Sequence, residues 1–243
     1  MTYCLAMLLD RGIVFMSDTR TNAGLDNIST FRKMNIWETP GERSITLLSA
    51  GNLATTQAVV SLLDERTKAH DDRNPKLLEL PSMFQVARLV SDTLREVISE
   101  HEMAGQNASS GFNATMLLGG QIKGGPPRLF LIYPEGNFIE AGTDTPYFQM
   151  GETKYGRPIL VRAFDPAMDF GDAMRLMLVS FDSTVKANLS VGAPFDYHFY
   201  DTDSMKTGLV GRIELEDPRF QQISQGWGDA LKNALDSLPR FEL

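Results

Sequence analysis

The chain has 243 residues, of which 42% are hydrophobic and 22% charged, and its formal net charge is −8. At that length roughly 70–75% of the unfolded surface can be buried, enough for one sizeable core. An acidic balance excludes the basic footprint that nucleic acid and anionic membrane surfaces require, and a single cysteine, Cys4, excludes an intrachain disulfide and a cysteine-based zinc cluster.

The chain opens MTYCLAMLLDRGIVFMSDTR. Two short apolar runs, 2–9 and 13–17, flank Asp10-Arg11-Gly12, which predicts a β-hairpin. Both runs are nearly continuous rather than alternating, so burial on both faces is expected. Asp10 and Arg11 interrupt the first run too early for a secretory signal. Nothing approaches the ~20 apolar residues of a membrane-spanning helix, so a cytoplasmic location is expected. A polar, glycine-containing stretch (TRTNAGLDNIST) leads to FRKMNIWE, a strand candidate, and then to SITLLSAG, a fourth strand.

That strand runs directly into NLATTQAVVSLLDERTKAHD, where Ala58, Val59, Leu62 and Leu63 have helical spacing. A second helix is predicted over 82–102, because Met83, Val86, Ala87, Val90, Leu94 and Ile98 recur at three- and four-residue steps after Pro81 and Ser82. ATMLLGGQI, RLFLIYPEG and NFIEAG read as strands separated by turn residues at 124–127 and 134–137. FQMGETKYGRPIL leads into a helix at about 171–187. VGAPFDYHFY and GLVGRIEL are strands, and an amphipathic helix follows at about 219–237.

Helices grouped between blocks of mostly antiparallel strands predict an α+β fold in one domain, 1–243, with a strand–helix extension at about 204–243. Two sheets packed face to face with helices outside satisfy this order. An open α+β sheet satisfies it as well.

The chemistry begins at Thr2. An initiator methionine is usually removed ahead of a small residue, and removal gives Thr2 both a hydroxyl and a free α-amine. That amine titrates near ~7.7–8.0 and can accept the hydroxyl proton at neutral pH, so one residue supplies nucleophile and base. Asp18 ends the second strand of the hairpin, and a return strand of that length brings it back beside Thr2. Lys33 follows the loop, and a buried ammonium near the amine favours the neutral, proton-accepting form. Asp18 would pair with Lys33, although an ordinary surface ion pair has the same sequence signature. Ala50-Gly51-Asn52 joins a strand to a helix, where the Gly51 N–H can donate to a developing oxyanion; a glycine used only for a tight turn looks the same. His70, His101 and His198 have no metal-ligand spacing, so no metal is expected.

Taken together, Thr2, the strand–turn–strand, SDTRTNAG at 17–24, the Lys33 segment and SAGNLATTQ at 49–57 resemble a proteasome β-type subunit, a member of the N-terminal-nucleophile hydrolases. FRKMNIWE, YPEG and LSVGAPFD resemble the bacterial branch called Anbu. This resemblance implies a four-layer αββα sandwich and a bacterial cytosolic protein that self-associates into rings or open helical rings. It implies a threonine peptidase or amidase that needs no cofactor and acts on a peptide or peptide-like substrate. By the same resemblance Thr2 is nucleophile and base, Asp18 and Lys33 are activators, the Gly51 N–H is the oxyanion donor, and Thr21, Ser49 and Leu53 line the side-chain pocket. A scaffold with weak or no peptidase activity, or an amidohydrolase or acyl transferase for one small peptide-like compound, would carry the same residues. No unfoldase partner follows from the sequence.

Two positions depart from the family pattern. Gly151-Glu152-Thr153 stands where active subunits have Gly-Ser-Gly. Ser190 fits a serine of the cluster that orients the amine, but Ala187 occupies the place of its aspartate, with Asn188 adjacent.

Overall fold

The computed structural model describes residues 1–22, 28–68, 74–103 and 109–242. In chain order, β1 (Tyr3–Leu9) and β2 (Gly12–Asp18) form the expected hairpin, followed by a short ribbon of β3 (Arg20–Asn22) and β4 (Ile28–Thr30). Next come β5 (Met34–Thr39), β6 (Arg43–Gly51), α1 (Leu53–Glu65) and α2 (Met83–Met103). Then β7 (Ala114–Ile122), β8 (Arg128–Ile132), β9 (Phe138–Glu140) and β10 (Tyr147–Gly151) precede α3 (Arg157–Ala163) and α4 (Phe170–Ala187). The chain closes with β11 (Phe195–Asp201), β12 (Leu209–Ile213) and α5 (Pro218–Ser237).

Ten strands make two five-stranded antiparallel sheets, ordered β10-β1-β2-β11-β12 and β5-β6-β7-β8-β9. Strand periodicity sorts their side chains into layers. On β1, Tyr3, Leu5, Met7 and Leu9 join α3, α4 and α5 residues in one core cluster, while Cys4 and Ala6 face the other sheet. On β6, Ile45 and Leu47 pack with α1 and α2, while Leu48 and Ala50 point between the sheets. Three apolar layers therefore separate four layers of secondary structure, in the order helix, sheet, sheet, helix. This is why the first two strands carry no polar face: each is covered on both sides.

The register between sheets rests on a few contacts. A Cβ on Gly119 would lie 2.7 Å from Phe15 Cζ, so the second sheet leaves a hollow there for the Phe15 ring. Phe15 in turn stacks on His198, with ring centroids 5.7 Å apart. His198 Nδ1 is 2.9 Å from Thr46 Oγ1 on the opposite sheet, which joins β11 to β6 by a buried side-chain hydrogen bond.

Several elements differ from the sequence reading. α3 lies inside the stretch taken as a lead-in, because its seven residues are too few for a helical repeat to register. The strand predicted from Val191 starts at Phe195 instead, following Pro194, and Lys33 precedes β5 rather than lying within it. β12 lengthens the edge of the first sheet and α5 packs on α4, with the Phe220 ring 5.4 Å from Phe195. Thr55 and Thr56, poor helix formers, are held in α1 by bonds from their hydroxyls to the Phe112 and Leu53 carbonyls.

Burial pushes His198 down from 6.5 to about 4, so the folded chain prefers the neutral ring. A depressed folded-state value means that this stabilisation is complete above about pH 6.5 and is lost as pH falls towards 4. The urea-unfolding midpoint is expected to fall across that window. His198→Asn, which takes up no proton there, flattens that part of the profile and costs about 1–2 kcal/mol at neutral pH through the weakened Thr46 bond.

Candidate active site

At one end of the sandwich β1 begins, β6 and β10 end and α1 starts, and there a cleft of about 590 Å³ opens. Met1, Thr2, Thr21, Lys33, Ser49, Ala50, Gly51, Leu53, Gly151 and Glu152 are among its walls.

The hairpin sets the first part of the geometry. Cys4 pairs with Ser17, so the next step along each strand puts Tyr3 opposite Asp18. The Tyr3 N–H donates to Asp18 Oδ1 at 3.0 Å, and Lys33 Nζ donates to the same oxygen at 2.7 Å. Lys33 Nζ also donates to the Arg20 carbonyl at 2.7 Å. The Lys33 backbone is anchored from the other sheet, where the Ser49 N–H donates to its carbonyl at 2.9 Å. Asp18 is fully buried and Lys33 is 6% exposed. Burial drives the Asp18 carboxyl above its ordinary range, against the pull of the Lys33 charge and hydrogen bond and of N–H groups from Tyr3 and Gly192. The pair is therefore a desolvated one, whose value depends on both partners being present.

Two glycines let backbone segments close on Thr2 and on the cleft. At Gly151, φ is +82° and an added Cβ would lie 1.9 Å from the Thr2 carbonyl oxygen. That close approach lets the Glu152 N–H donate to the Thr2 carbonyl at 2.8 Å. At Gly51, φ is +118° and a Cβ would meet the Asn113 carbonyl at 2.4 Å. Asn52 then caps α1, its side chain accepting from the Thr55 N–H at 3.1 Å. The positive end of α1 thus lies beside Gly51, where negative charge is favoured.

Thr21, Ser49 and Leu53 lie in the cleft wall with Thr2, Lys33 and Gly51, whereas Asp18 stands behind Lys33. Ser190 does not line the cleft. Its N–H and hydroxyl both donate to Asn188 Oδ1, at 3.0 and 2.6 Å, in the turn that ends α4. Ala187 is exposed.

Sequence reasoning missed Arg32, Asn35, Gln57, Val60 and Ser61, which also line the cleft. Two signals could have found three of them. Gln57 and Ser61 follow Leu53 at four-residue steps on one face of α1, and Asn35 follows Lys33 at the two-residue step of an extended chain. Residues 23 and 24 of the small-residue loop, and His70, lie outside the described residues. Among the described residues no group of histidine, cysteine and carboxylate side chains could hold a metal ion. Burial pushes the Cys4 thiol up, which makes it a packing group.

The proteasome subunit family matches residues 2–195, from the candidate nucleophile to the start of β11. This chain belongs to that family. Its likeness to the Anbu branch runs the whole length of the chain. An Anbu (Gly-1) mutant from Hyphomicrobium sp. strain MC1 is 48% identical, with each chain fully covered and a TM-score of 0.92. Anbu (ancestral β-subunit) from Yersinia bercovieri is also 48% identical over the full length of both chains, with a TM-score of 0.91. In the helical assembly of the Anbu complex from Pseudomonas aeruginosa the subunit is 45% identical, covering 99% of this chain and 98% of that one, with a TM-score of 0.92. No curated protein matches the chain.

Removing either member of the Asp18–Lys33 pair leaves an unpaired charge or a stranded donor in a dry site. Asp18→Ala is expected to lower stability by about 3–5 kcal/mol in guanidinium unfolding. The double variant Asp18→Leu, Lys33→Met should recover much of that loss. Strictly additive losses in the double variant would show that the two charges are not coupled.

Proposed function

We propose that this chain is a threonine-type amide hydrolase whose nucleophile and general base both belong to Thr2 once Met1 is removed. One observation carries this reading: a buried ammonium, Lys33, is fixed by a buried carboxylate that also holds the first strand by the Tyr3 N–H.

In the proposed reaction the Thr2 hydroxyl oxygen attacks the carbonyl carbon of a bound amide and its proton passes to the α-amine. Lys33 lowers the proton affinity of that amine by like-charge repulsion, so more of it is neutral near pH 7. The developing oxyanion is met by the Gly51 N–H at the start of α1. The amine returns its proton to the leaving nitrogen as the C–N bond breaks, leaving an ester on Thr2. Water then attacks that ester, losing a proton to the amine, and releases the acid and the free hydroxyl. Thr21, Ser49 and Leu53 receive the side chain before the cleaved bond. Arg32, Asn35, Gln57 and Ser61 make the surrounding wall polar.

The substrate is a peptide or peptide-like amide. Self-association in the bacterial cytosol fits two features. The related Anbu complex is a helical assembly. This chain has an apolar hollow between α3, α4 and α5, with Leu235, Leu238 and Phe241 exposed beyond it. Among the described residues no helix is long and apolar enough to cross a membrane.

A second reading, a scaffold with little or no hydrolysis, is favoured by Ser190 and Asn188 bonding each other rather than facing the cleft. The two readings separate on Thr2→Ala. For a hydrolase, intact-mass analysis finds a chain starting at Thr2 that takes up one β-lactone acyl group, and Thr2→Ala loses the adduct while assembling normally. Retention of Met1 on the native protein, or cell function intact in Thr2→Ala, would sink the enzymatic reading.

A further inference from the structure

Glu152 follows β10 directly and lines the cleft together with Met1 and Thr2. It is 8% exposed. Its Oε2 is shielded from solvent and has no hydrogen-bond partner among the described residues. Buried polar atoms nearly always have a partner, and an acceptor without one costs the fold its full desolvation. The Gly151 backbone conformation and the bond from the Glu152 N–H to the Thr2 carbonyl fix this residue against residue 2.

While Met1 is present, the nitrogen of Thr2 is an amide with one N–H. Removal of Met1 turns it into an amine with two N–H donors, or three when protonated, at the residue whose carbonyl already bonds Glu152. A glutamate side chain has the length to fold back from that backbone bond to the nitrogen of the same partner residue. We propose that Glu152 is the positioning residue for the α-amine of processed Thr2, its carboxylate accepting an N–H and turning the nitrogen lone pair towards the hydroxyl. This inference rests on the reading of Thr2 as the nucleophile. It assigns to one carboxylate the task that Ser190 and position 187 leave undone, since Ser190 is spent on Asn188 and Ala187 has no polar atom.

The charges around the amine then oppose one another. Arg32 and Lys33 line the cleft from the segment before β5, Asp18 stands behind Lys33 from β2, and Glu152 approaches from the end of β10. Lys33 weakens the amine as a proton acceptor, and Glu152 strengthens it by holding the protonated form. The pair would set the amine between the two limits: neutral often enough to take a proton, basic enough to keep it.

The test reads the amine directly. A chain released from a cleavable amino-terminal fusion starts at Thr2 whatever the cell does with Met1. Its amine is acetylated with acetic anhydride across about pH 5 to 9, and modification of Thr2 is followed by peptide mass. With Glu152→Gln the midpoint of labelling should fall by about one pH unit, because the charge that holds the proton is gone. Glu152→Ser, which restores the residue type of the family pattern, should shift it the same way and serves if the glutamine variant does not fold. An unchanged midpoint in either folded variant overturns the proposal. Uptake of a β-lactone acyl group on the Thr2 hydroxyl is measured in parallel. A shifted midpoint without acyl uptake upholds the amine contact and counts against the hydrolase reading, and acyl uptake with an unmoved midpoint does the reverse.

Discussion

Asp18 Oδ1 accepts two donors that come from distant parts of the chain, the Tyr3 N–H and Lys33 Nζ. Through that single oxygen the start of β1, the end of β2 and the segment before β5 are fixed to one point. The contact is exacting because it is dry: both side chains are removed from water, so the loss of one leaves the other uncompensated. The cleft, the direction of the first residues and the placement of an ammonium beside the chain start all follow from it.

The backbone around this point is held as tightly as the charges. Gly151 and Gly51 occupy positive-φ positions where an added Cβ would strike a carbonyl oxygen at 1.9 Å and 2.4 Å. One brings β10 against Thr2, and the other turns β6 into α1. Both approaches bring backbone into the wall of the cleft at positions that only glycine can fill. Behind it, the two sheets are keyed by Phe15 over Gly119 and by the Thr46–His198 bond. Those contacts join the first sheet, which Thr2 precedes and Asp18 belongs to, to the second, which Lys33 precedes and which carries Ser49 and Gly51.

Membership of the proteasome subunit family places this arrangement in context without exhausting it. The differences from the family pattern lie at Glu152 and at the end of α4, not in the Asp18–Lys33 pair. Ser190 serves the end of α4, and Glu152, whose Oε2 has no hydrogen-bond partner among the described residues, lines the cleft with Met1 and Thr2.

Much was legible in the linear order of residues. Continuous apolar runs at 2–9 and 13–17 implied strands covered on both faces, and counting back along the hairpin put Asp18 next to the first residues. Such inferences succeed because strand periodicity and hairpin register are local: they depend on residues a few steps apart. The rest depended on what packs from elsewhere. No local pattern shows that Arg32 and Val60 share a wall, that Ser190 spends its hydroxyl on Asn188, that α3 exists at seven residues, or that Glu152 Oε2 is buried with no hydrogen-bond partner among the described residues. The sequence by itself determined the first hairpin and the register that sets Asp18 beside the first residues. Only the tertiary structure decided which of their polar atoms remain unpaired, because removal from water is a property of the whole assembly of layers and not of any one segment.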